Sequence, residues 1–112
     1  MNITLSQEFG STVIRISGSI DALTSDEAQT FFDKQINNTQ TCLVIDLSQV
    51  DYLSSAGMRV LISAMKNARL RGGNLYLAGL RDNVHQVLNL AGFTSIFKIF
   101  PTVDEAAHAF AK

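Results

Sequence analysis

The alternation of apolar and polar residues at the start of the chain predicts two β-strands joined by a short turn. Residues 2–6 alternate polar and apolar side chains, and residues 11–17 are rich in β-branched ones, with Phe9 and Gly10 between the two segments. Alternation with a period of two places the apolar side chains on one face of a strand, and glycine is typical of tight connections. We therefore expect an antiparallel hairpin with one wet face.

Two later segments are apolar without alternation. Residues 42–45 (CLVI) and 75–78 (LYLA) are continuous apolar runs. Such runs are typical of interior strands that are covered on both faces, because every side chain is then buried. Residues 46–53 are predicted as the loop that leaves the first of these strands.

Four helices are predicted from apolar residues spaced three and four apart and from the polar residues that begin them. Thr24 is predicted to begin the first helix with a capping box, in which its hydroxyl accepts from the N–H of Glu27 and the Glu27 side chain reaches back to the N–H of Thr24. Thr102 and Glu105 are predicted to form the same capping box at the start of the last helix. The second helix is predicted to begin near Ser55, and Asp82 is predicted to cap the third. The pattern between the third and fourth helices allows a further short strand but does not require one.

The order of these elements predicts the fold class. Strands and helices alternate after the hairpin, which favours parallel pairing through helical crossovers. We expect an α/β fold with a mixed β-sheet that opens with an antiparallel hairpin, followed by alternating β/α units with about four helices packed on the sheet. The chain has 112 residues, 46% of them hydrophobic, which suits a single domain over residues 1–112.

Charge and composition narrow the classes of partner. The chain has 9 basic and 10 acidic residues and a formal net charge of −1, so no long-range field would attract nucleic acid or an anionic membrane. No apolar run approaches the roughly 18 residues that cross a bilayer, and MNITLSQEFG lacks the features of a signal peptide. We expect a cytoplasmic protein without membrane insertion and, because Cys42 is its one cysteine, without an intramolecular disulfide.

The residues DYLSSAGMRVL (51–61) hold the most informative polar pair, Ser54 and Ser55, at the predicted start of the second helix. Helix N-termini present unpaired N–H groups and a partial positive charge, which suit an anion such as a phosphate. The alternative interpretation is that one serine is an N-cap, which is worth about 1 kcal/mol. Ala56 and Gly57 follow, and their small size would let another molecule approach the hydroxyls closely.

A nucleophilic serine needs a base and an oxyanion-stabilising site. The chain contains neither Gly-x-Ser-x-Gly nor Ser-x-x-Lys, and His85 and His108 are predicted at the surface or boundary of helices. No Cys or His pair has metal-ligand spacing, and the glycines form no phosphate-binding loop. We expect no catalytic residues, no metal and no cofactor, so an enzyme is not the expected class.

Four segments carry a family resemblance. Residues 18–24 (GSIDALT), 44–58 (VIDLSQVDYLSSAGM), 72–78 (GGNLYLA) and 87–93 (VLNLAGF) resemble, in order, segments of the STAS-domain family. Within that family the chain is similar to the single-domain anti-sigma factor antagonists of bacterial partner-switching systems. The central segment is the most specific of the four.

The resemblance implies a set of site residues. Aligned on Gly57, the phosphoacceptor serine of the family falls on Ser55, and Ser54 falls where many members have aspartate, so Ser54 stays an alternative site. Asp21 matches an aspartate that lies near the phosphoacceptor. The partner-binding residues implied in this way are Asp21, Thr24, Ser54, Ser55, Ala56, Gly57, Met58 and Arg59.

The resemblance also implies a mechanism. The unphosphorylated protein, a monomer when free, would bind an anti-sigma factor with serine kinase activity and free the sigma factor. Phosphorylation would add about −1.5 to −2 charges and abolish binding, and a phosphoserine phosphatase would reset the switch. Met58 is either a core residue or part of the contact face, and Arg59 either pairs with a partner carboxylate or is solvated. Two alternatives remain open: a non-switching scaffold subunit of a transport or sensory complex, and a small-ligand or nucleotide-binding domain.

Overall fold

The structure is a computed structural model that describes residues 1–37 and 41–111. The described residues form five strands and four helices in the predicted order. The elements are β1 Asn2–Glu8, β2 Ser11–Ile20, α1 Ser25–Asn37, β3 Cys42–Leu53, α2 Ser55–Leu70, β4 Asn74–Ala78, α3 Asp82–Leu90, β5 Ile99–Phe100 and α4 Val103–Ala111.

The five strands form one mixed sheet in the order β1-β2-β3-β4-β5. β1 and β2 pair antiparallel, and each later neighbouring pair is parallel. Phe9 and Gly10 form the hairpin turn with positive φ angles of 51° and 83°. The predicted fold class, with its opening antiparallel hairpin and four helices, is confirmed.

The helices cover both faces of the sheet, which explains the continuous apolar runs of β3 and β4. Leu43 and Ile45 of β3 face a core that is completed by α1, α2 and α3, whereas Val44 faces a second core formed with α4. Tyr76 of β4 also points to the second core, where its ring stacks on Phe110 with centroids 3.9 Å apart. Each run is therefore apolar because alternate side chains enter different cores.

Residues 46–53 do not form the predicted loop, because β3 continues through Leu53. The extension pairs with β2, with register shifts between Arg15 and Ser17 and between Gly18 and Ser19. Its three apolar side chains, Leu47, Val50 and Leu53, are buried. They are spaced by three residues, since the irregular register displaces the strict period of two, and this spacing hid the strand from a search for alternation.

Two of the predicted helix caps are wrong and one is confirmed. The Thr102 hydroxyl accepts from the N–H of Glu105 at 3.2 Å, which is the N-cap bond of the predicted capping box. The hydroxyl of Thr24 turns back toward Asp21 instead, although its carbonyl does begin α1. Asp82 lies inside the first turn of α3, and the cap position belongs to Arg81, which makes no side-chain cap bond.

Candidate functional site

The site forms where β2 and β3 end side by side. Ile20 and Leu53 are paired at the ends of these parallel strands. The backbone N–H of Ser54 donates to the carbonyl of Ile20 at 2.9 Å, and the Ser54 hydroxyl lies 3.1 Å from the same oxygen. Asp21 directly follows Ile20, so the turn at Asp21 and the start of α2 lie at the same edge of the sheet.

Ser54 is the N-cap of α2. Its backbone is extended, with φ −86° and ψ 173°, and its hydroxyl accepts from the N–H of Gly57 at 3.1 Å. Because the same hydroxyl donates to Ile20, it is used as both donor and acceptor. An ionised aspartate at this position would accept from Gly57 but would have no proton to donate to the carbonyl.

Ser55 is the first residue of α2 and is exposed to solvent. At this helical position its backbone N–H has no acceptor within the helix. The two serines, which are equivalent in the sequence, therefore differ in the structure. Ser54 is bonded at the junction of strand and helix, and Ser55 presents its hydroxyl side to the solvent.

Gly57 has no room for a side chain. A Cβ atom at this position would lie 2.6 Å from the carbonyl oxygen of Ile20 and 2.8 Å from Cδ1 of Leu53. The expectation that Gly57 leaves space for another molecule is wrong, because the chain's own β2 and β3 fill that space. Ala56, its neighbour, is half-buried.

The turn from Asp21 to Thr24 is held by reciprocal hydrogen bonds. One carboxylate oxygen of Asp21 accepts from the N–H groups of Leu23 at 2.9 Å and Thr24 at 3.1 Å. The Thr24 hydroxyl accepts from the N–H of Asp21 and lies 3.0 Å from the carbonyl of Ser19. These bonds fix Asp21 beside the start of α2 and leave Leu23 at the tip of the turn, 93% exposed.

Met58 and Arg59 differ in burial, although they are neighbours in α2. Met58 is 7% exposed and belongs to the main core. Arg59 is exposed. A surface cavity of about 250 Å³ beside the phosphoacceptor candidate is lined by Ser55, Met58, Arg59, Ala91 and Phe93. The structure thus brings the edge of Met58 and the Arg59 side chain together with Ser55.

Sequence reasoning missed the residues that hold the end of β3. The Ser19 hydroxyl bonds to the Asp51 carboxylate at 3.1 Å, and Asn83 of α3 donates to the backbone carbonyl of Asp51 at 2.8 Å. Next in the strand, Tyr52 is 53% exposed. No local signal in the sequence marks Ser19 or Asn83, because their contacts with Asp51 join segments that are distant in the chain.

The two histidines lie elsewhere in the fold, on α3 and α4. Both are exposed, and the His108 ring lies 4.0 Å from that of Phe9 at the hairpin turn. Over residues 1–37 and 41–111, no group of three or more His, Cys, Asp or Glu side chains is arranged to hold a metal ion. In the same residues, no helix has both the length and the apolar character needed to cross a bilayer.

Comparison with known proteins decides the family. The STAS domain model matches residues 2–106 of the chain. The chain belongs to the STAS domain family. The mixed sheet and the Ser54–Ser55 junction at its edge are therefore parts of a STAS domain.

Relatives of this STAS domain include proteins named anti-sigma factor antagonists. It is 29% identical to the anti-sigma F factor antagonist of Paenibacillus polymyxa over 113 residues, which cover 97% of this chain and 93% of the relative. A crystal structure of an anti-sigma factor antagonist from Mycobacterium paratuberculosis superposes with a TM-score of 0.90 at 24% identity, covering 99% and 94%. The Bacillus cell fate determinant SpoIIAA in its phosphorylated form superposes with a TM-score of 0.74 at 16% identity, covering 96% and 98%.

Proposed function

We propose that this STAS domain is an anti-sigma factor antagonist that acts by binding rather than by catalysis. The observation that carries the proposal is the exposed Ser55 at the first position of α2, directly after a serine that is already used as the cap. Relatives that match nearly the whole chain bear the name of such antagonists, which supports the same function. The domain would work in the cytoplasm as a monomer, with residues 1–112 acting as one unit.

Ser55 is the proposed phosphoacceptor, and Ser54 is the weaker candidate. A kinase must reach the hydroxyl and remove its proton, and the Ser55 side chain is accessible. Modifying Ser54 would break its bonds to Ile20 and Gly57 and force a phosphate into the β2–α2 junction. A phosphate on Ser55 would instead lie beside the positive end of α2, where it is tolerated.

The proposed partner-binding face comprises the residues around that hydroxyl. It consists of Asp21, Thr24, Ser54, Ser55, Ala56, Gly57, Met58 and Arg59, which lie on the turn after β2 and the first turns of α2. Several of these act through shape: Gly57 permits the close packing of α2, and Thr24 holds Asp21. The exposed Leu23 and Tyr52 add apolar contact area next to them.

The proposed mechanism is a charge switch on a rigid surface. The unmodified face binds an anti-sigma factor with serine kinase activity, which releases the sigma factor. Phosphorylation adds about −1.5 to −2 charges and bulk at Ser55, which excludes the partner by contact and by repulsion. A loss of about 3 kcal/mol of binding free energy weakens binding more than a hundredfold. A phosphoserine phosphatase would then restore the binding form.

The test measures how tightly serine variants of this protein bind the anti-sigma factor kinase of the same organism. We expect Ser55→Ala to bind with nearly the affinity of the wild type but to accept no phosphate, and Ser55→Asp to bind at least tenfold more weakly. Binding is measured by calorimetry, and the modified residue is located by mass spectrometry. Thr30→Asp is the control, because it adds the same charge at an exposed position of α1 that lies outside the proposed partner-binding face.

Two results would contradict the proposal. One is equal binding by the wild type and Ser55→Asp. The other is phosphate on Ser54 alone after treatment with the kinase, which would make the N-cap residue Ser54 the phosphoacceptor.

A further inference from the structure

The exposed side of α2 carries a groove that shares Arg59 with the proposed partner-binding face and extends beyond it along the helix. It is a shallow, open depression of about 510 Å³ between side chains of α2 itself, namely Arg59, Ile62, Ser63, Lys66, Asn67 and Leu70. These positions recur at helical spacing and lie on one face, over ~17 Å at 1.5 Å per residue. Because Arg59 also lines the cavity beside Ser55, the groove continues the proposed partner-binding face along the helix.

The groove is positively charged. α2, with the sequence SAGMRVLISAMKNARL, contains no acidic residue. Arg59 and Lys66 are exposed, and among residues 1–37 and 41–111 the ion pairs all involve Arg15 instead. The other two arginines near the end of α2 have partners, since Arg69 bonds to Asn74 at 3.1 Å and Arg71 to Asn67 at 3.4 Å. The two cations that line the groove are thus left without a counter-charge from the described chain.

Apolar surface accompanies this charge. Leu70, at the far end of the groove, is 87% exposed, and Ile62 near its middle is half-buried. Burying exposed apolar surface at an interface is favourable by about 25 cal/mol per Å². A surface of this kind matches a segment that is itself apolar on one side and acidic at its margins.

We propose that this groove binds an acidic amphipathic helix of the partner protein. Apolar side chains of that helix would cover Ile62 and Leu70, and its carboxylates would pair with Arg59 and Lys66. The identity of the partner rests on the proposed function. Ser55 lies four residues before Arg59 on the same face of α2, so a phosphate on Ser55 would compete with partner carboxylates for the guanidinium.

A peptide experiment tests the chemistry of the groove without the partner. The whole chain, labelled with ¹⁵N, is titrated with a synthetic helical peptide that has leucines on one face and glutamates beside them, and with the same peptide carrying lysines for glutamates. We expect amide shift changes confined to α2 and its neighbours, and binding of the acidic peptide at least tenfold tighter. Equal affinities, or shift changes centred on another surface, would overturn the inference.

A charge reversal tests the groove against the anti-sigma factor kinase. We expect the double variant Arg59→Glu, Lys66→Glu to bind about tenfold more weakly at low salt, with most of the difference lost at high salt. The control, Lys34→Glu with Lys98→Glu, changes the net charge equally at exposed positions outside the groove and should bind like the wild type.

The outcomes separate this inference from the proposed switch. Unchanged binding by the double variant, with Ser55→Asp still weakened, overturns the groove and leaves the switch intact. The reverse pattern, with the acidic peptide still selective for α2 and no effect of Ser55→Asp, keeps the groove and removes the switch.

Discussion

At the scale of single residues, the neighbours of a side chain decide its role more than its type does. Ser54 and Ser55 have the same chemistry, but only Ser54 faces the carbonyl of Ile20 and the N–H of Gly57. Gly57 is likewise explained by a neighbour, since the carbonyl of Ile20 occupies the place of a Cβ atom. The sequence marked these positions as special, and contacts with a distant strand supply the reason.

Gly57→Ala is predicted to destabilise the fold. In an ordinary helix position this change stabilises by up to about 1 kcal/mol, because alanine has the higher helix propensity. Here the new Cβ would lie 2.6 Å from a backbone oxygen, so α2 must shift, and we expect a loss of about 1–3 kcal/mol. Urea unfolding measures the change, with Ser63→Ala on the same helix as the control. An increase in stability would show that the junction adjusts freely.

At the scale of elements, α2 is anchored at its start by a hydrogen-bond junction with the ends of β2 and β3. Ser54 bonds to Ile20 through both its backbone N–H and its hydroxyl, and its carbonyl accepts from the N–H of Met58. The junction therefore positions Ser55 independently of its own side chain. A phosphate could be added at Ser55 with little rearrangement of the helix.

The two serines are accordingly predicted to differ in their effect on stability. Ser54→Ala removes the N-cap and the hydroxyl bond to Ile20, and we expect a loss of about 1–2 kcal/mol in the free energy of unfolding. Ser55→Ala, its matched control at an exposed position, should change stability by less than about 0.5 kcal/mol. Both are measured by urea denaturation. Similar losses for the two variants would mean that the hydroxyl of Ser55 also supports the junction.

At the scale of the whole molecule, the sheet separates two cores. Phe32 of α1 is completely buried in the larger core, and Phe110 of α4 packs on Tyr76 in the smaller one. Alternate residues of the central strands enter each core, as Val44 and Ile45 do. The two cores therefore share the same strands, and neither is expected to form without the other.

Unfolding is predicted to be a single cooperative transition. The chain has two tyrosines and no tryptophan, so in a Tyr52→Phe background the fluorescence reports Tyr76 and hence the smaller core. We expect its urea transition to coincide with that of far-UV circular dichroism. Phe32→Ala should reduce the free energy of unfolding by about 3–5 kcal/mol. The urea midpoints of the fluorescence and circular dichroism transitions should then fall together. Separate transitions would show that the α4 side melts independently.

The sequence by itself determined the element types, their order and the two-sided burial of the central strands. These follow from local signals, namely hydrophobic period, capping residues and glycine turns, which act within a few residues of chain. The N-cap at Thr102 was correct because the hydroxyl and the N–H that it accepts from are three residues apart. The resemblance of 44–58 to the STAS family also came from the sequence and is confirmed.

Only the tertiary structure decided the features that depend on pairing between distant segments. The extension of β3 through Leu53, the turn of Thr24 toward Asp21 and the close packing of Gly57 each depend on β2 lying beside β3. The division between a bonded Ser54 and an exposed Ser55 has the same origin, because the carbonyl of Ile20 is 34 residues away in the chain. Local sequence cannot encode such contacts, since the partner atom is brought near only when the sheet forms.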